Sequence, residues 1–131
     1  MEGPSTHESA GSERRRHPRF IVTGLGMTIA VRTLLGGERV TARLIDVSLG
    51  GCCIRLPATQ AQTLVDNGAC RCALPVGIAH YPIEYAAAVV GRRERDTNHE
   101  HHVHLCFNRV SPHQNNLLAR WLTTLPATGP W

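Results

Sequence analysis

Two short clusters carry side chains suited to holding an anion. The first, Arg14-Arg15-Arg16-His17-Pro18-Arg19, contains an R-x-x-x-R spacing from Arg15 to Arg19. A guanidinium is planar, permanently charged and presents a fork of N–H donors. It therefore matches phosphate oxygens, or the edge of a base, two bonds at a time. The second, Asp46-Val47-Ser48-Leu49-Gly50-Gly51, is a D-x-S-x-x-G. Asp46 is an acceptor, Ser48 a short donor or acceptor, and Gly51 lets backbone approach where a Cβ would intrude. A plain turn, with Asp46 and Ser48 bonding their own backbone, uses the same residues.

The two spacings differ in specificity. With 14 Arg in 131 residues, an R-x-x-x-R is expected about once by chance, and Arg39-Val40-Thr41-Ala42-Arg43 is indeed a second match. Arg39 and Arg43 fall on the polar side of an alternating segment and read as solvated charges. Arg15 and Arg19 fall in an arm that a ligand could order. The D-x-S-x-x-G is rarer, expected by chance in roughly a few per cent of chains this long.

Other clusters carry less. In Asn98-His99-Glu100-His101-His102-Val103-His104, His102, His104 and Cys106 would share a strand face, and imidazoles with a thiolate can ligate zinc. No second cluster stands at finger-like spacing, so a polar outer face is the simpler reading and no metal is assigned. Cys70 and Cys72 would point to one apolar face and Cys52 and Cys53 to opposite faces, as small buried hydrophobes. Arg92, Arg93 and Arg95 cluster after the fifth strand. There is no Ser-His-Asp arrangement, no phosphate-cradling glycine loop and no paired carboxylate site, so neither a catalytic residue nor a cofactor is expected.

The bulk composition fits one domain of 131 residues, 42% hydrophobic and only 5% aromatic, with a core of Leu, Val, Ile, Ala and Cys. The net charge of +4 is mildly basic, and every one of the 14 Lys+Arg positions is Arg. A GC-rich genome would produce this, and so would selection for bidentate anion recognition. No signal-peptide pattern and no membrane-length apolar run appear. With an odd five Cys, the expectation is a cytoplasmic protein with free thiols and no membrane insertion.

The elements that must position these clusters follow from periodicity. Residues 1–12 are small and polar and are expected to be disordered. Pro18 keeps the arm extended. Beyond Phe20, period-2 alternation runs through Met27, Ile29 and Val31, then Val40, Ala42 and Leu44, then Cys52, Ile54 and Leu56, then Cys70, Cys72 and Leu74. A fifth strand covers 83–90 and a sixth 102–108. Asp46 to Gly51 reads as a loop, and Gln60 to Asn67 as one short helical turn closed by Gly68. Ser111-Pro112-His113-Gln114 is a capping box with proline at the first helical position. Leu117, Leu118, Trp121, Leu122 and Leu125 follow at helical spacing until Pro126. The expected fold is mainly β, a six-stranded antiparallel β-barrel with a C-terminal α-helix over residues 13–125. Residues 126–131 form a tail, and the place of Trp131 is left open.

The arm motif before the first strand and the D-x-S-x-x-G after the second resemble the PilZ domain family, over nearly all of residues 13–125. The resemblance implies a PilZ-type barrel that binds the bacterial second messenger cyclic di-GMP and catalyses nothing. It puts Arg15 and Arg19 on the ligand from one side and Asp46, Ser48 and Gly51 from the other. Arg14 holds the place of a further ligand-contacting Arg that accompanies an intercalated ligand dimer. Guanine O6 and N7 match a guanidinium fork, and Asp46 can accept from guanine N1–H and N2–H₂ together. The family often has an aromatic residue lining the site on the fifth strand. Here that position falls near Val90, and the neighbouring arginines are substitutes for it. Ligand would order the arm over the barrel, and the new surface would meet an unidentified downstream protein. Nucleic acid is not the expected partner, since the arm lacks interleaved aromatics. The rival reading is a PilZ-like adaptor that meets its protein partner without ligand.

Overall fold

The computed structural model describes residues 17–34, 37–94 and 99–126. Among these, strands β1 (Phe20–Ile21), β2 (Thr28–Thr33), β3 (Arg39–Val47), β4 (Gly51–Pro57), β5 (Ala69–Leu74), β6 (Ile83–Glu94) and β7 (Glu100–Phe107) are joined by helices α1 (Ala58–Asn67) and α2 (Pro112–Leu122). Hydrogen bonding runs β3-β2-β5-β6-β7-β4 and returns from β4 to β3. Six antiparallel strands thus close a barrel, which removes the sheet's edges. β1 stands outside the ring, paired with the last two residues of β3. The expected barrel is present, with one strand more than alternation indicated, and α1 runs to 10 residues rather than a single turn.

Alternation decides which residues fill the interior. Ile29, Val31, Val40, Ala42, Leu44, Cys52, Ile54, Leu56, Cys70, Cys72, Leu74, Tyr85, Ala87, Val103, Leu105 and Phe107 are all buried in one cluster. Each large apolar side chain removed from water contributes roughly 1.5–3 kcal/mol. Helix α1 leaves β4 at Pro57 and returns to β5 through Gly68, which sits at φ 77° in the left-handed region. It adds Ala61 and Leu64 to the cluster.

Helix α2 is held at the other end. Ser111 Oγ accepts from Gln114 N–H at 3.0 Å, and Gln114 Oε1 accepts from Ser111 N–H at 3.0 Å, the capping box that the sequence spells. The Tyr85 hydroxyl donates to the Gln114 carbonyl at 2.7 Å, and Gln114 Nε2 donates to the Glu84 carbonyl at 2.9 Å. Burial pushes the Tyr85 phenol up to about 12, so it stays a donor. Leu118, Trp121 and Leu122 then complete the core. No helix among the described residues is long and apolar enough to cross a membrane.

The alternation breaks at two places, and both matter for the outer surface. Val40, Ala42 and Leu44 point inward, so continued alternation would send Asp46 into the core. Instead Leu44 pairs with Ile54 and Asp46 with Cys53, which leaves Ile45 as an extra residue. One added residue reverses the facing of everything after it. Val47 becomes the buried position, and Asp46 turns outward. In β6 the register slips between Val89 and Gly91. Val90 is thereby left 55% exposed, and Gly91 lies opposite the outward-facing His104.

Candidate functional site

The two bulges align one row of residues across the outside of the barrel. Asp46 pairs with Cys53, Cys53 with His104, and His104 with Gly91. The row therefore runs over β3, β4, β7 and β6. Asp46 is not in the loop, as the sequence suggested, but on the last turn of strand before it. The strand holds its backbone, and the bulge aims its side chain.

Strand β1 brings the arm to the same place. Phe20 pairs with Val47 and Ile21 with Asp46, so the residue just before β1, Arg19, lies beside the Asp46 carboxylate. The closest approach is 3.9 Å between Arg19 Nη1 and Asp46 Oδ2, with the side chains 39% and 15% exposed. At that length the pair is a charge contact and not a tight hydrogen bond. His17 packs on the adjoining loop, where a Cβ on Gly50 would meet its Cδ2 at 3.3 Å. Arg14 and Arg15 lie outside the described residues, as do Arg95, residues 1–12 and Trp131.

The loop itself is held from within. Ser48 N–H donates to the Gly51 carbonyl at 2.8 Å, and Gly50 N–H donates to Ser48 Oγ at 3.2 Å. Ser48 is buried, so its hydroxyl shapes the loop, as the plain-turn reading allowed. Gly51 also answers to the barrel. A Cβ there would collide with the Leu105 carbonyl oxygen, so it is β7 that forbids a side chain at this position. Asp46 differs, since its charge contact reaches out of the loop to Arg19.

Burial pushes the Asp46 carboxyl above its usual range, and the nearby Arg19 and His104 only partly offset this. Holding a carboxylate where water is scarce costs stability unless a partner supplies charge-assisted bonds. Arg19 and His104 supply part of that compensation here.

Three residues of the row, Cys53, His104 and Gly91, were not singled out as site residues from sequence. The outward facing of Cys53 and His104 is legible, but that of Gly91 depends on the bulge, and the alignment of all three needs the register. Cys53 is only 2% exposed although it faces away from the core. His102, His104 and Cys106 share the outer face of β7, as alternation predicted, and Cys106 is exposed. Among the described residues no group of His, Cys, Asp and Glu could hold a metal ion. Arg92 turns away from the row and donates to Gln62 of α1 at 2.6 Å. Arg93 pairs in register with His102 on the outer face.

The sequence matches the family model described as PilZ domain over residues 13–124. Among solved structures, the PilZ domain with c-di-GMP of YcgR from Escherichia coli superposes with a TM-score of 0.61 at 22% identity, over 86% of this chain and 91% of that one. The K. pneumonia MrkH–c-di-GMP complex gives 0.66 at 17% identity, over 85% and 51%. The Borreliella burgdorferi PlzA protein in complex with c-di-GMP gives 0.60 at 12% identity, over 97% and 60%. The chain spans about half the length of MrkH and of Bacillus subtilis MotI. No curated protein matches the sequence.

The raised Asp46 carboxyl has a consequence for the unliganded protein. A carboxyl whose folded pKa exceeds its unfolded value binds its proton more tightly when folded. Stability then falls as pH rises from the unfolded value through the folded one, and the loss persists at neutral pH. Asp46→Asn removes the charge, so it should raise the thermal midpoint of the unliganded protein at pH 7. It should also remove the fall in stability with rising pH that Asp46 contributes, read as a gain in thermal midpoint over the unmodified protein that grows from pH 4 to pH 7 in circular dichroism melts.

Proposed function

The chain belongs to the PilZ domain family, and from that premise we propose that it is a receptor for cyclic di-GMP, a ligand-binding protein and not an enzyme. The observation that carries this is the meeting of Arg19 with the half-buried Asp46 where the arm joins the barrel. Strand pairing and a bulge bring a cation from the arm and an anion from the barrel to one spot, where further donors would ease the buried carboxylate. Guanine N1–H and N2–H₂ are two such donors side by side. The guanine O6 and N7 acceptors, or a phosphodiester, then suit Arg19.

In this reading Asp46 reads the base, while Arg19, Arg15 and Arg14 bind base edge and phosphate from the arm. Ser48 and Gly51 keep the loop in the shape that presents Asp46. Ligand bridges arm and barrel and orders Arg14 and Arg15 over the outer row. The surface so formed meets a downstream protein in the cytoplasm. The solved complexes of YcgR, MrkH and PlzA with c-di-GMP support the choice of ligand.

Isothermal titration tests the reading. Arg19→Ala should weaken cyclic di-GMP binding by about 1.5–3 kcal/mol, the range for hydrogen bonds to charged groups. Arg39→Ala, in the second R-x-x-x-R, should change it little. An unmodified protein that takes up no cyclic di-GMP would leave the ligand-free adaptor as the better account.

Selectivity follows from Asp46. Cyclic di-AMP has no N1–H and no N2 amine, so Asp46 would face an acceptor. It should bind at least tenfold more weakly, about 1.4 kcal/mol, and equal affinity for the two dinucleotides would remove Asp46 from the base-reading role.

Stoichiometry follows from the arm. Two cyclic di-GMP molecules can intercalate into a four-purine stack, which gathers four phosphate charges and demands more cations than one molecule does. Arg14, Arg15, Arg16 and Arg19 supply them. Calorimetry should give two ligands per chain, and Arg14→Leu should lower the ratio toward one while binding persists.

A further inference from the structure

A second row of outward residues lies beside the first. Arg43 pairs with Arg55, Arg55 with His102, and His102 with Arg93. Four adjacent strands thus place three arginines and a histidine in one register line on the outside of the barrel. With strands roughly 4.8 Å apart, Arg43 to Arg93 spans about 14 Å, and the row lies roughly 7 Å along the strands from the Asp46 row.

Like charges directly opposite on neighbouring strands are destabilising, and Arg43 faces Arg55 in this way. Arg55 has an acid, Glu100, at 2.9 Å. No acid among the described residues pairs with the exposed Arg43 or Arg93. The opposite wall of the barrel carries a line of the same kind, with Arg39 opposite Arg32 and Arg32 opposite Arg71. There Arg32 and Arg71 converge on Glu84, at 2.7 and 4.0 Å. Both walls hold more arginines than acids, and what sets the line of Arg43, Arg55 and Arg93 apart is that it lies beside the Asp46 row.

We propose that Arg43, Arg55 and Arg93 form a phosphate seat, an extension of the nucleotide site along the outer face of β3, β4, β7 and β6. This rests on the reading of the Asp46 row as the place where guanine binds. A guanine held at Asp46 leaves the phosphodiesters of a cyclic dinucleotide a nucleotide's length away, and the row lies at about that remove. The planar forks suit phosphate oxygens. An anion lying across the row would also relieve the Arg43–Arg55 juxtaposition. Half of the R-x-x-x-R spacing at Arg39 and Arg43 is thereby given a role through strand register, not through its spacing.

The test is calorimetric titration of the full chain with cyclic di-GMP at low and at moderate salt. The unmodified protein is compared with the double variant Arg43→Gln/Arg93→Gln and with Arg71→Gln on the opposite wall. Melts first establish that the variants are folded. The expected result is a Kd raised about tenfold or more in the double variant, with a weaker dependence on salt, because two cations facing a polyanion are gone. Arg71→Gln should match the unmodified protein. Binding by the double variant with unchanged Kd and unchanged salt dependence would overturn the seat and leave the receptor reading standing. An unmodified protein that fails to bind at all overturns both.

Discussion

Closing six strands into a ring fixes the facing of every side chain. Within a strand, residues two apart look the same way, and no strand of a closed barrel can turn over without breaking its ladders to both neighbours. A change of facing therefore requires an added residue. In this chain Ile45 and Val90 are the added residues, and much of the outer surface depends on them. Were Ile45 paired as an ordinary ladder residue, with no bulge, Asp46 would face the core beside Leu44, and Arg19 would have nothing to meet. Two local insertions on separate strands turn a plain barrel wall into an aligned row.

Stability and function are drawn from different parts of the molecule. The core, the capping box at Ser111 and Gln114, and the Tyr85–Gln114 bond hold the barrel and its helix. The two outer rows hold features that cost stability, a carboxyl short of water in one and like charges set opposite one another in the other. Such features persist where something outside the folded chain compensates them.

Much of this was legible in the sequence because it depends on period and composition. The interior faces of β2, β4, β5 and β7 follow from alternating apolar residues, and the start of α2 from Ser111, Pro112 and Gln114. What stayed hidden depends on a count between strands. A bulge leaves no composition signal, so Asp46 read as a loop residue and the fifth strand seemed to stop near Val90, although β6 continues to Glu94. Strand β1 is two residues long and too short to show a period. Helix α1 begins after Pro57 without a side-chain cap, so its first turn was missed. The rows that join Asp46 to His104, and Arg43 to Arg93, are properties of register, which no single strand encodes.

The carbonyl of Leu105 beneath Gly51 bears on how such sequences drift. Suppose a lineage stops using the ligand. Replacing Gly51 would still force β7 off β4, so purifying selection would retain that glycine for the sake of the fold alone. Asp46 would enjoy no such protection, since its loss relieves a buried charge. The motif's letters are thus unequal witnesses. A glycine kept at this position is accounted for by the barrel alone, whereas packing gives no reason to keep the aspartate.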